Sequence, residues 1–132
     1  MNSSEPEKPF QASGLTRIWN ACFYSLDGLK AAFQSEAAFR QEAVLCCILV
    51  PLAFFIPVSI SMRALMISSV LLVLIVEILN SSIEAVVDRI SLEKHPLAKR
   101  AKDMGSAAVF LSMIHLTGVW GFGTYELLSR TP

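Results

Sequence analysis

Charge imbalance is missing from this chain: eleven lysines and arginines face eleven aspartates and glutamates in 132 residues. Nothing global therefore suggests nucleic acid as a partner. Cysteine is scarce and odd in number. Cys22, Cys46 and Cys47 lie in apolar segments with no CxxC or CxxH pattern, which argues against a disulfide framework or a thiolate metal site and leaves small packing residues. The polar N-terminus, MNSSEPEKPFQASG, lacks a basic segment followed by an apolar one. No cleaved secretory signal is expected, and residues 1–13 read as a short flexible tail. Standard nucleotide signatures are absent too, both GxxxxGK[ST] and the HRD and DFG elements of protein kinases.

What is present is apolar. Hydrophobic residues make up 54% of the chain, above the roughly 45–50% of soluble domains even with glycine counted there. The length allows one domain at most. Residues 43–60, AVLCCILVPLAFFIPVSI, carry no charge over 18 positions, near the lower limit of about 17–20 for a helix crossing a bilayer. Pro51 inside this run is expected to kink it, which neighbouring helices can accommodate. Residues 64–79 form a second run, with Ser61 a candidate N-cap and Glu77 near the far end. Residues 107–128 form a third, with Trp120 and Tyr125 suited to an interfacial belt, His115 read as a packing histidine, and Gly118, Gly121 and Gly123 as close-packing residues. The expected helices run over about 36–60, 62–90 and 100–128, joined at 57–63 by a short turn, with 129–132 a tail.

Basic residues orient these spans. Lys8, Arg17, Lys30 and Arg40 precede the first, and Arg89, Lys94, Lys99, Arg100 and Lys102 separate the second from the third. Only Arg63 and Arg130 lie opposite. Nine against two places the N-terminus and the long loop in the cytoplasm and the C-terminus outside. Ahead of the first span, Ile18, Trp19, Cys22, Phe23, Leu26, Leu29 and Phe33 recur at three- and four-residue steps over about 16–34, as in an amphipathic helix lying on the membrane surface. Ser35 is a candidate cap for the helix that follows. The fold class is thus an all-α membrane protein with one surface helix and three transmembrane helices.

One stretch breaks the apolar rule. In LIVEILNSSIEAVVDRI (74–90), Asn80, Ser81, Glu84 and Asp88 fall within an arc of about 100° that includes Glu77, at 100° per residue. The result is a polar stripe about 16 Å long that begins inside the apolar run and ends in the loop. Asn80-Ser81-Ser82 matches a glycosylation sequon, but a helical cytoplasmic position rules it out. Ionisable groups at membrane depth cost several kcal/mol unless they face a protein interior, a partner or a wet cavity. A polar contact between subunits is one reading of the stripe, and a site at the membrane boundary is the other. Glu36 and Glu42, with Glu93, Lys94, His95, Lys99, Arg100, Lys102 and Asp103 of the loop, converge on the same end. Carboxylates with cations are what a Mg²⁺–nucleotide requires, and a deeper, partly desolvated glutamate could take a proton from a lipid hydroxyl. A proton or ion pathway in a small oligomeric channel is the rival class, less suited to the basic loop.

The segments EAAFRQE (36–42), VEILNSSIEAVVDRI (76–90) and RAKDMGSAA (100–108), with TRI (16–18) and YSxxGLxAA (24–32), closely resemble the prokaryotic diacylglycerol kinase family over about residues 14–128. That resemblance implies a homotrimer with active sites shared between protomers, in the bacterial inner membrane. It implies ATP-dependent phosphorylation of diacylglycerol to phosphatidic acid, or of undecaprenol, which some members with this pattern use. By the same resemblance Glu77 is the general base, with Asn80 and Asp88 in support, and Glu36 and Glu84 hold Mg²⁺. ATP contacts would come from Arg17, Tyr24, Glu36, Glu84, Glu93, Lys94, His95, Lys102 and Asp103. The lipid side would involve Ala21, Cys22, Phe23, Tyr24, Ser25, Leu26, Lys30, Ala31, Ala32, Phe33, Ala38, Phe39, Arg40, Gln41, Glu42, Glu77 and Ser106.

Overall fold

Chain segments without charge cannot leave their amides to lipid, so each apolar run must close its hydrogen bonds within itself, as a helix does. The computed structural model describes residues 14–90 and 95–130, and these form four helices: α1 (Gly14–Ser35), α2 (Ala37–Phe55), α3 (Ile60–Ile90) and α4 (Pro96–Arg130). Three of them, α2, α3 and α4, are long and apolar enough to cross a membrane. The boundaries differ from the sequence expectation at several points. The first span ends at Phe55, four residues beyond Pro51, which the helix passes through. The third begins at Pro96, and Ser129 and Arg130 continue it. The N-terminal tail, Glu93 and Lys94 lie outside the described residues.

The chain divides into two compact units at Ala31–Ala32. The first consists of most of α1. Its Ile18, Leu26, Leu29 and Cys22 share an arc with Trp19 and Phe23, whose rings meet edge to face at 5.4 Å. Arg17, Ala21, Tyr24 and Ala31 lie together within about 80° on the opposite side, at 100° per residue.

The second unit is built around α3, which packs against both α2 and α4. Its buried residues Met66, Ser69, Val70, Val73 and Glu77 recur at steps of three and four, a single inward stripe. The partners are spaced by the same logic. Phe39, half-buried Cys46 and Ala53 of α2 are seven residues apart, and Gly105, Ser112, Leu116 and Gly123 of α4 follow steps of seven and four. Small residues on α4 allow close approach, which matters where lipid removes the hydrophobic drive between helices. A Cβ on Gly123 would stand 2.7 Å from Met66 Sδ. Gly118 and Gly121, by contrast, meet nothing within 4 Å at that position. Only one of the three glycines expected to pack closely does so.

Other side chains also settle differently from expectation. Trp120 turns inward, donating from Nε1 to Met66 O at 3.3 Å and packing on both apolar clusters, while Tyr125 stays exposed. The reason is that an indole N–H can share a helix carbonyl, here one that also accepts from Ser69 Oγ, as well as it can meet interfacial water. His115 is exposed and not packed, as are Cys22 and Cys47.

The α2–α3 turn is tied at three points. Ser59, not Ser61, is the N-cap, its Oγ accepting from Met62 N at 3.3 Å. Glu126 of α4 accepts from Ser59 N at 2.8 Å and from Ser59 Oγ at 3.2 Å. Arg63 folds back to donate to Ala53 O at 3.0 Å, a carbonyl that the end of α2 leaves open, and to Ile56 O at 3.2 Å, which also accepts from Val58 N. At the other end of α2 the N-cap position is Glu36, not Ser35. Ser35 closes α1 and donates to Glu36 Oε1 at 3.3 Å.

Candidate functional site

An uninterrupted α3, free of glycine and proline over 31 residues, carries the polar stripe out of the apolar region without a break in direction. Burial falls steadily along it. Glu77 is 4% exposed, Asn80 and Glu84 are half-buried, and Asp88 is exposed. Asn80 Nδ2 donates to Glu84 Oε1 at 3.2 Å, one turn further on. Asp88 accepts from Lys102 Nζ of α4 at 2.7 Å, joining the end of α3 to the start of α4.

Glutamates gather around the buried end. The Glu77 carboxylate lies within electrostatic reach of Glu84 and Glu36, and Glu42 of α2 within reach of Glu77. Four carboxylates from α3, α2 and the α1–α2 junction are thereby brought together. Glu42 Oε2 and Asn80 Oδ1 are buried and accept no hydrogen bond among the described residues. Gly105 explains the position of the second atom. A Cβ there would overlap Asn80 Oδ1, so α4 can approach the amide only because this residue has no side chain.

The remaining residues named from the sequence are distributed more widely. His95 caps α4: its Nδ1 accepts from Leu97 N at 3.2 Å, and Pro96 occupies the first helical position, where a missing N–H costs nothing. Asp103 pairs with Lys99 one turn away. Ala38 and Gln41 are exposed, whereas Ala32 and Phe39 are buried. Arg40 donates from Nη1 to Phe33 O and Gln34 O, both at 3.1 Å, and so closes the end of α1. Ser106 is exposed on α4. Arg17, Ala21, Cys22, Phe23, Tyr24, Ser25, Leu26, Lys30 and Ala31 belong to the α1 unit. Sequence reasoning assigned no role to Gly105, to the Lys102–Asp88 pair or to the Ser59–Glu126 contact. None of them had a distinct signal: α4 also carries Gly118, Gly121 and Gly123, and both contacts join residues of different elements.

Among the described residues, no three His, Cys, Asp or Glu side chains converge into a ready metal cage. Two hard carboxylates, Glu36 and Glu84, lie within electrostatic reach of the same buried glutamate. That donor set fits Mg²⁺, which usually takes one or two protein carboxylates and completes its shell with water and substrate phosphates.

Three apolar helices and a carboxylate stripe that emerges at one end define a small multi-span membrane protein with a polar site at the edge of its apolar region. The family model for prokaryotic diacylglycerol kinase matches residues 23–123. Diacylglycerol kinase of Pseudomonas aeruginosa is 58% identical over 113 residues, covering 85% of this chain and 92% of that protein. The Haemophilus influenzae enzyme of the same name is 53% identical over 112 residues, 85% of this chain and 95% of its own. That of Escherichia coli K12 is 56% identical over 108 residues, 82% and 88% respectively. The chain belongs to the prokaryotic diacylglycerol kinase family.

Proposed function

We propose that this protein phosphorylates diacylglycerol with ATP at the cytoplasmic face of the bacterial inner membrane, as a homotrimer whose active sites are shared between protomers. Family membership supports the reaction. The observation that carries its location is the graded stripe: a carboxylate 4% exposed at Glu77 leads through Asn80 and Glu84 to the Asp88–Lys102 pair at the aqueous end. A lipid alcohol approaches from the apolar side and a nucleotide from the polar side, and the two meet along one helix.

The chemistry is a direct in-line transfer. The primary hydroxyl oxygen of the lipid forms a bond to the γ-phosphorus, the bond from that phosphorus to the β-bridging oxygen breaks, and ADP leaves with the electron pair. Glu77 takes the hydroxyl proton. Lys102 and the neighbouring basic residues attract the phosphates. Glu36 and Glu84 would hold Mg²⁺, which when bound neutralises phosphate charge.

The decisive measurement uses purified protein in mixed micelles with labelled ATP, offered diacylglycerol and undecaprenol in separate reactions. Labelled phosphatidic acid is the expected product. Label appearing only in undecaprenyl phosphate overturns the substrate, and label in neither lipid overturns the kinase reading.

A further inference from the structure

Asn80 is held on two sides. Its Nδ2 donates to Glu84 Oε1 at 3.2 Å, and its Oδ1 is buried against Gly105 of α4 in space that a Cβ would occupy. The amide cannot be turned over without loss, because a carboxylate only accepts hydrogen bonds and must face the NH₂. Gly105 is itself buried, within a helix whose other inward residues include Ser112 and Leu116. The three atoms nearest an added methyl all belong to the Asn80 side chain, the closest being its movable tip. The helices can therefore stay in place, and the Asn80 amide has to move.

We infer that Gly105 is a positioning residue for the site: by leaving room for the Asn80 amide against α4, it fixes the Asn80–Glu84 hydrogen bond and so the aim of the Glu84 carboxylate. The inference rests on the reading of Glu84 as a metal-holding residue. A hydrogen bond to a metal-binding carboxylate is an outer-shell contact, and losing such a contact typically weakens metal affinity about 10–100-fold. Gly105 acts one step further out, through a side chain it never replaces.

Mn²⁺ binding measured by electron paramagnetic resonance, with a non-hydrolysable ATP analogue present, reads this without turnover. Four variants are compared with the parent in the same micelles: Gly105→Ala, Asn80→Ala, both together, and Glu84→Gln. Gly105→Ala is expected to weaken Mn²⁺ about 10-fold or more, and the double variant to bind like Asn80→Ala alone. Parental binding in Gly105→Ala, with Glu84→Gln weakened, overturns the inference and leaves the metal reading standing. Parental binding in Glu84→Gln overturns both. Effects of Gly105→Ala and Asn80→Ala that multiply also overturn the inference, since independent sites add in free energy. Should Gly105→Ala alone fail to fold, the double variant has room for the methyl and carries the test. Binding at the Asn80→Ala level supports the inference, and failure of the double variant to fold overturns it.

Discussion

Glu77 has the least water of any charged residue described on α3, and its chemistry follows from that. The carboxylates of Glu84 and Glu36 lie within its electrostatic reach, and among the described residues no ion pair holds it. Glu77→Gln keeps the shape and a hydrogen-bonding group but cannot take the hydroxyl proton. Turnover is expected to fall about 10²–10⁴-fold, the usual range for a lost general base. ATP binding, measured by equilibrium dialysis on the same preparation, should stay at the parental level. Turnover within a few-fold of the parent would make Glu77 a structural member of the stripe. At this scale the sequence was legible wherever a residue type departs from its surroundings. Glu77, Asn80, Glu84 and Asp88 stand out from an apolar run, and helical geometry alone puts them on one face. Gly105 did not stand out, because its importance lies in what approaches it from another helix. The same holds for Trp120, whose N–H could have met water or a carbonyl with equal chemistry.

The three long helices were visible in the sequence because a bilayer leaves an uncharged segment no other way to satisfy its backbone, and α1 was visible from its apolar periodicity. The ends were less so. Ser59 and Ser61 are both plausible caps by composition, and the choice was made by Glu126 reaching across from α4 to hold Ser59. That contact ties the far end of α4 to the α2–α3 turn. A charged acceptor of two hydrogen bonds contributes about 1.5–3 kcal/mol. Glu126→Ala should therefore lower the thermal midpoint of the detergent-solubilised protein, followed by light scattering, while leaving turnover at low temperature unchanged. An unaltered midpoint would show that the turn is held by Arg63 and apolar packing alone.

For the whole chain, the charge count and the site make the same demand from different directions. Nine of the eleven basic residues precede the first span or separate the second from the third, which predicts a cytoplasmic N-terminus and loop, and a nucleotide-dependent reaction needs the same orientation. A cytoplasm-active reporter should work when fused at the N-terminus or inserted between residues 94 and 99, and fail at the C-terminus. The inverted pattern would separate the basic loop from ATP and end the kinase reading. The family and the helical fold were both readable before any coordinates. What periodicity could not convey was what covers the exposed faces of α2 and α4, since exposed leucines look alike whether they meet lipid or protein.

The unequal lengths of α2 and α3 have a further consequence. At 1.5 Å per residue they measure about 28 and 46 Å, and they share one turn at residues 56–59. The excess of about 18 Å must therefore all emerge at the other end, and it begins close to Glu77 and Asn80. The hydrocarbon of a typical bilayer is about 30 Å thick, which α2 just spans. The chain is thus a depth gauge as well as a scaffold. Lipids that thicken or thin the membrane by a few ångströms raise or lower the waterline across the single turn that separates Glu77 from Asn80. Acyl-chain length then acts on the site twice, once as a property of the lipid being modified and once as the solvent in which the modification takes place.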